Sequence, residues 1–133
     1  MHAREMISTH PDVRGAVNEA LVRCIDECFD CGQTCTACAD ACLGEDMVQQ
    51  MRQCIRTCSD CADVCLATGT TASRRTGGNE DVIRRMLEAC ATACGACAQE
   101  CEKHAQHHEH CRICGEACRR CENACRDALQ SLK

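Results

Sequence analysis

The residues that could do chemistry here are thiols. The chain of 133 residues carries 19 cysteines, well past the level at which cysteine is incidental. They fall in four runs: Cys24, Cys28, Cys31, Cys35, Cys38, Cys42; then Cys54, Cys58, Cys61, Cys65; then Cys90, Cys94, Cys97, Cys101; then Cys111, Cys114, Cys118, Cys121, Cys125. Within each run the steps alternate between three and four residues. That mean step keeps to one face of a helix, so the thiols of a run point the same way. At such steps Cβ atoms lie about 5–6 Å apart, and two metal–sulfur bonds of about 2.3 Å span roughly 4.6 Å. One ion can therefore bridge neighbouring thiolates. Thiolate ligands select soft ions, namely Cu(I), Zn(II) or Fe–S clusters.

Charge separates these ions. A low-dielectric interior does not hold many uncompensated thiolates. Two-coordinate Cu(I) can share sulfurs that each bridge two ions, so metal and sulfur approach one to one and the filled core is near neutral. On that basis the cysteines hold on the order of 19 Cu(I), roughly one per Cys. Zn(II) prefers four ligands and leaves residual negative charge. Fe–S clusters take a few cysteines at defined spacings, unlike a regular stepping along whole helices. Protonated thiols are neutral and pack as small hydrophobes, so the scaffold is expected to be folded before metal arrives.

The elements that must carry these thiols are helices. Between the cysteines stand mostly Ala, Thr, Gln, Asp, Glu and Arg, residues suited to a helix and its outer face. Pro11 with Asp12 reads as the first turn of the first long helix. Gly44 closes that helix, and Glu45 and Asp46 favour the start of the second. The stretch from Ser73 to Gly78 is a loop, with Asn79 as N-cap of the third helix. The third connection lies in His104–Glu109. Short connections imply antiparallel neighbours. The fold class is therefore all-α, an antiparallel up-down-up-down four-helix bundle with a Cys-lined core. Residues 1–133 form a single domain, with 1–10 as an N-terminal extension, a possible short helix. Gly32, Gly95 and Gly115 inside the helices read as points of close helix approach. Ile25, Phe29, Val48, Ile55, Val64 and Ile113 lie off the seam, suited either to contacts between bundles or to peripheral packing within one.

Extending the register beyond each run separates the two ends of the bundle. It reaches Met51 and Met47 before Cys54, His104 and His108 after Cys101, and His107 before Cys111. These residues cluster at one mouth. At the other end it reaches Leu21 and Val17, Leu87 and Ile83, and Ala128 and Leu132, an aliphatic plug. The competing reading of Met47 and Met51 is ordinary core packing, and of the histidines a solvated connection. His107 and His110 are expected to be exposed, with at most a transient ligand role. His2 and His10 are given no role, and Arg74-Arg75 reads as solvated loop.

Composition narrows the rest. Only 23 residues are Val, Ile, Leu, Met or Phe, against 18 Ala and 19 Cys, so either the chain is disordered or cysteine is itself the core. One Phe and no Trp or Tyr argue against stacking on single-stranded nucleic acid. A net charge of −5 argues against any nucleic-acid partner. No stretch approaches a membrane span, and Met1 to Asp12 shows no apolar signal region. A cytoplasmic location, with reduced thiols, is expected, and the odd cysteine count fits no complete disulfide framework.

The chain resembles the four-helix-bundle copper storage proteins of the cytosolic type, over about residues 11–132. The resemblance rests on the CxxxCxxC-type stepping in all four segments, on Cys28-Phe29-Asp30-Cys31, and on the His-rich 104–110 connection. It implies a homotetramer of bundles, each storing many Cu(I) ions at thiolate sites, with no catalytic activity. It also implies copper ligands at the mouth, mapping onto His104 and His108, with His110, Met47 and Met51 as further candidates. Copper chaperones or cuproenzymes are the implied partners. Two other classes stand beside this one: a Zn or Cd thiolate buffer, and a thiol redox or Fe–S electron-transfer protein, which needs exposed low-pKa cysteines or a cluster.

Overall fold

The computed structural model describes residues 1–132. Its helices are α1 (Ala3–Ser8), α2 (Glu19–Leu43), α3 (Arg52–Ala72), α4 (Glu80–His104) and α5 (Glu109–Ser131), with a 3-10 turn at Val48–Met51. The helices α2 to α5 are the four cysteine-bearing segments. Each packs against two others: α2 and α4 both lie between α3 and α5, and the square closes into a four-helix bundle. Helices facing each other across the diagonal meet through sulfur at the axis. Cys28 and Cys90 are 3.8 Å apart, Cys35 and Cys97 4.0 Å, Cys58 and Cys114 3.8 Å, and Cys65 and Cys121 4.0 Å.

The helix starts correct the sequence reading in three places. Pro11 does not open the first long helix. Residues 11–15 form turns in which Arg14 has φ 52° and Gly15 φ 80°. That left-handed pair ends any helical path. The chain re-enters at Asn18, whose side chain accepts a hydrogen bond from the Leu21 N–H at 3.0 Å and so caps α2. Glu45 and Asp46 do not begin the second helix either. The 3-10 turn intervenes, and α3 starts at Arg52, which frees Glu45 for the contacts described below. Asn79 does precede α4. Its side chain, however, donates to the Arg74 carbonyl instead of capping the helix, and Glu80 and Asp81 supply the negative charge that the helix start favours.

The end away from the mouth is sealed by aliphatic side chains. Leu21, Ile83, Leu87 and Ala128 are buried, with Val17 and Leu132 packed against them. The short helix α1 adds a cover that periodicity did not show. Ile7 is buried in the same cluster, Arg4 pairs with Glu19 at the start of α2, and the following turn is tied to the 73–79 loop. There His10 Nε2 lies 3.0 Å from Thr76 Oγ1, and the Gly77 N–H donates to Asp12.

Glycine permits the closest helix approaches. A Cβ on Gly32 would sit 2.8 Å from the Leu66 side chain, and one on Gly95 would sit 2.8 Å from Glu122 Oε2. Of the off-seam apolar residues, Ile25 is fully buried within the bundle, while Phe29, Ile55 and Val64 pack against the core from its edge. Ile113 is 46% exposed.

A thiol-lined core with a histidine mouth

All nineteen cysteines are buried and none is in a disulfide. The alternating step is the cause: on a helix packed against two neighbours, one face alone is withdrawn from water, and the thiols occupy it. The sulfurs form a continuous column. From the plug towards the mouth, Cys24 lies 3.5 Å from Cys125, Cys65 3.5 Å from Cys94, Cys35 3.5 Å from Cys118, and Cys58 3.7 Å from Cys101. Three sulfurs around one ion, with bonds of about 2.3 Å, stand roughly 4.0 Å apart, and two in line stand roughly 4.6 Å apart. The protein thus holds its sulfurs within about 1 Å of bridging distances.

Quartets repeat along the column, with the ligand atoms of each all within 4.8 Å of one another. They include Cys28/Cys90/Cys121/Cys125, Cys31/Cys65/Cys94/Cys121 and Cys31/Cys35/Cys61/Cys118. Nearer the mouth come Cys35/Cys97/Cys114/Cys118 and Cys38/Cys54/Cys58/Cys101. Cys31, Cys35, Cys118 and Cys121 each serve two quartets. Adjacent sites therefore share sulfur, as a bridged thiolate array requires.

Ionisation in this column is governed by burial and by neighbouring sulfur. For Cys42 and Cys111 burial is the largest cause, and it pushes both above the usual thiol value of 9.0, with the charges of neighbouring thiolates adding to it. Deeper in, sulfur–sulfur hydrogen bonds dominate. They hold Cys28, Cys35, Cys58, Cys65, Cys94, Cys101, Cys118 and Cys125 above the usual range. Their partners are pulled down: Cys24 to about 5, chiefly by Cys125, and Cys114 to about 6, chiefly by Cys101. A thiolate among them survives only while its neighbours keep their protons, so full ionisation needs cations.

At the other end the 44–51 connection meets the start of α5. His110 Nδ1 lies 3.4 Å from Cys38 Sγ and 3.6 Å from Cys111 Sγ. Its Nε2 lies 2.8 Å from Glu45 Oε2, and the same oxygen is 2.9 Å from His108 Nδ1. The rings of His108 and His110 stack at 5.6 Å. The hydrogen bond to His110 is the largest cause holding the Glu45 carboxyl below its ordinary value, against a smaller opposing effect of burial. For His110, burial works against the charged form, but the bonds to Cys38 and Glu45 outweigh it and the ring is held above its ordinary value.

The sequence-predicted mouth residues occupy different environments. His110, expected to be exposed, is part-buried and reaches the thiols. His108 stands beside it through Glu45. His104 bonds Glu100 at 3.2 Å instead of a cysteine. His107 is exposed. Met51 is 1% exposed and belongs to the core, whereas Met47 is 55% exposed. The seam register misled for His110 because α4 ends at His104 and the chain turns through residues 105–108 before α5 begins. Helical phase is not carried across such a turn. In the sequence Glu45 reads only as a charge near a helix start. Its position after Gly44, at the end that also carries the His-rich connection, was the available signal.

These features can be set beside known proteins. The copper storage protein family matches residues 17–130. A search of curated protein sequences finds no match. Solved structures of Ccsp, the copper storage protein of Streptomyces lividans, are similar throughout. The form loaded with 10 copper equivalents has 53% identity and a TM-score of 0.93, covering 98% of this chain and 99% of that one. A form described as a cytosolic copper storage protein with five coppers has 58% identity and a TM-score of 0.83, covering 84% and 93%. A histidine-to-alanine variant of Ccsp has 56% identity and a TM-score of 0.86, covering 88% and 98%. With the thiol column, the four-helix scaffold and the match over most of its length, the chain belongs to the copper storage protein family.

Proposed function

We infer that the protein is a cytosolic store for Cu(I), taking roughly one ion per cysteine into a preformed thiol column, and that its role is sequestration rather than catalysis. The observation that carries this is the single buried column of nineteen thiols with shared sulfurs. Charge decides against the zinc alternative. The five quartets above use sixteen cysteines; five doubly charged ions there would leave about six uncompensated negative charges in the core. Monovalent copper at one per sulfur leaves none. A thiol redox role would need exposed thiols, and none of the nineteen is exposed.

In this reading all nineteen cysteines are ligands, copper enters at the mouth, and the plug end stays closed. His108 and His110 are the mouth ligands best supported by position, and Met51 is buried in the core at the end of the 3-10 turn. His104, His107 and Met47 contribute at most on the way in. The whole chain, residues 1–133, acts as one container. Assembly into a homotetramer is supported by family membership and by exposed apolar residues such as Leu66, Val82 and Ile113 on the bundle surface. Exchange with copper chaperones or cuproenzymes would then take place at the mouth.

An anaerobic titration of reduced protein with Cu(I), read against a chromophoric Cu(I) chelator, tests the inference. Saturation close to one ion per cysteine is expected. Saturation at about four ions or fewer, or preferential uptake of Zn(II) at equal availability, would overturn it.

A further inference from the structure

Glu45 is an unusual residue to find at a soft-metal mouth. A carboxylate is a hard ligand and a poor partner for Cu(I), yet its Oε2 takes part in two imidazole contacts at once, at 2.8 Å to His110 and 2.9 Å to His108. It comes from the connection after α2, 65 residues from His110 in sequence, so no local helix contact explains it. Its effect is geometric. With Nε2 of His110 donating to Glu45, the hydrogen sits on Nε2 and the lone pair sits on Nδ1. That nitrogen is the one facing Cys38 at 3.4 Å and Cys111 at 3.6 Å. A trigonal site with metal–nitrogen bonds of about 2.0 Å and metal–sulfur bonds of about 2.3 Å needs nitrogen–sulfur distances of roughly 3.7 Å.

We propose that Glu45 is a positioning residue for copper entry: it fixes the tautomer and ring orientation of His110, so that Nδ1 and the sulfurs of Cys38 and Cys111 receive the incoming ion together. This role rests on the storage reading above. A carboxylate behind a ligating imidazole is a general means of orienting it and raising its basicity. The imidazole also adds a neutral ligand. One Cu(I) displaces one S–H proton, which leaves to solvent, and a thiolate–copper–imidazole site carries no net charge. By holding His108 on the same oxygen, Glu45 also keeps a second imidazole stacked at the opening.

The test compares wild type with Glu45→Ala, Glu45→Gln, His110→Ala and the double variant Glu45→Ala/His110→Ala. Each is given less than one equivalent of Cu(I) from a chromophoric chelator complex, and the transfer rate is followed by absorbance. Loss of such an orienting partner typically costs 10- to 100-fold. Glu45→Ala should slow transfer by that factor, and Glu45→Gln, which keeps an acceptor oxygen, should recover most of it. Total capacity and apo thermal midpoint should stay at wild-type values. In the His110→Ala background, Glu45→Ala should add no further loss. Nitrogen-15 correlation spectra of the apo protein should show His110 protonated on Nε2 in wild type and a tautomer mixture in Glu45→Ala. Unchanged transfer in Glu45→Ala, additive losses in the double variant, or an unchanged tautomer would overturn the proposal. A wild type that fails to fill defeats the storage reading instead, so the two failures are distinguishable.

Discussion

Alkali should weaken the empty protein and leave the filled one unaffected. Within the column, thiols held above the usual value of 9.0 have partners pulled below it, so their contributions to pH dependence oppose one another. Cys42 and Cys111 are the two that burial itself holds up. A group raised in the folded state gives stability that is intact below its unfolded value and is lost as pH climbs beyond it, because the unfolded chain releases protons that the folded chain must keep. At pH 9 each of these two favours the unfolded state by about RT ln 2, or ~1 kcal/mol for the pair. At pH 10 the figure is about RT ln 11 each, ~3 kcal/mol in all. Domain stability is typically about 5–15 kcal/mol. The urea midpoint of the metal-free bundle should therefore fall between about pH 9 and 10. Copper removes the effect, since the thiolates are already deprotonated and neutralised by metal. The assay is urea denaturation followed by far-ultraviolet circular dichroism at several pH values, anaerobic and with a thiol-free reductant, on empty and filled protein. An empty protein with an unchanged urea midpoint at pH 10 would refute the reasoning. So would a filled protein whose midpoint falls alongside it.

Three further outcomes follow from the packing. Leu87→Ala, at a buried plug position, should cost about 2–5 kcal/mol in urea denaturation of the empty protein while leaving copper capacity unchanged, because no sulfur is removed. Gly32→Ala should lose about 1 kcal/mol, since its Cβ would sit 2.8 Å from Leu66 and the clash outweighs the gain in helix propensity; adding Leu66→Ala should restore the melting temperature. Cys31→Ser should lower copper capacity, measured by metal analysis after gel filtration, by more than Cys42→Ser does, because Cys31 serves two quartets.

The bundle was legible because one periodicity carried both scaffold and site. A three/four alternation that places thiols on one face also dictates which face is buried, so the core, the four long helices and the aliphatic plug at Leu21, Ile83, Leu87 and Ala128 all followed from the same count. The N-terminus was less legible. Pro11 is compatible with a first helical turn, and only the left-handed backbone at Arg14 and Gly15 shows that the chain breaks there and begins again at Asn18. Ile7 joined the core through tertiary contact, which six residues of helix cannot announce in their own sequence.

The mouth shows why phase fails at connections. Register extrapolated from α4 favours His104 and His108, and register extrapolated back from α5 favours His107; of these only His108 stands beside the ring that meets the thiols, because each extrapolation assumes a helix continuing through residues that turn. The side chain that reaches the thiols is His110, in the first turn of α5, adjacent in sequence to Cys111. A residue next to a seam position points roughly 100° away from it on the helix, so it lies beside the core rather than within it. Only at a bundle end, where the facing connection leaves room, can such a side chain fold back over the column. The 3-10 turn at Val48–Met51 makes that room by delaying α3, and it leaves Glu45 close enough to take the far side of the imidazole. A second helix beginning at Glu45 would have spent that carboxylate on its own N-terminus. The same irregularity that spoiled the sequence reading of the connection is thus what allows a nitrogen ligand to be held over a sulfur core.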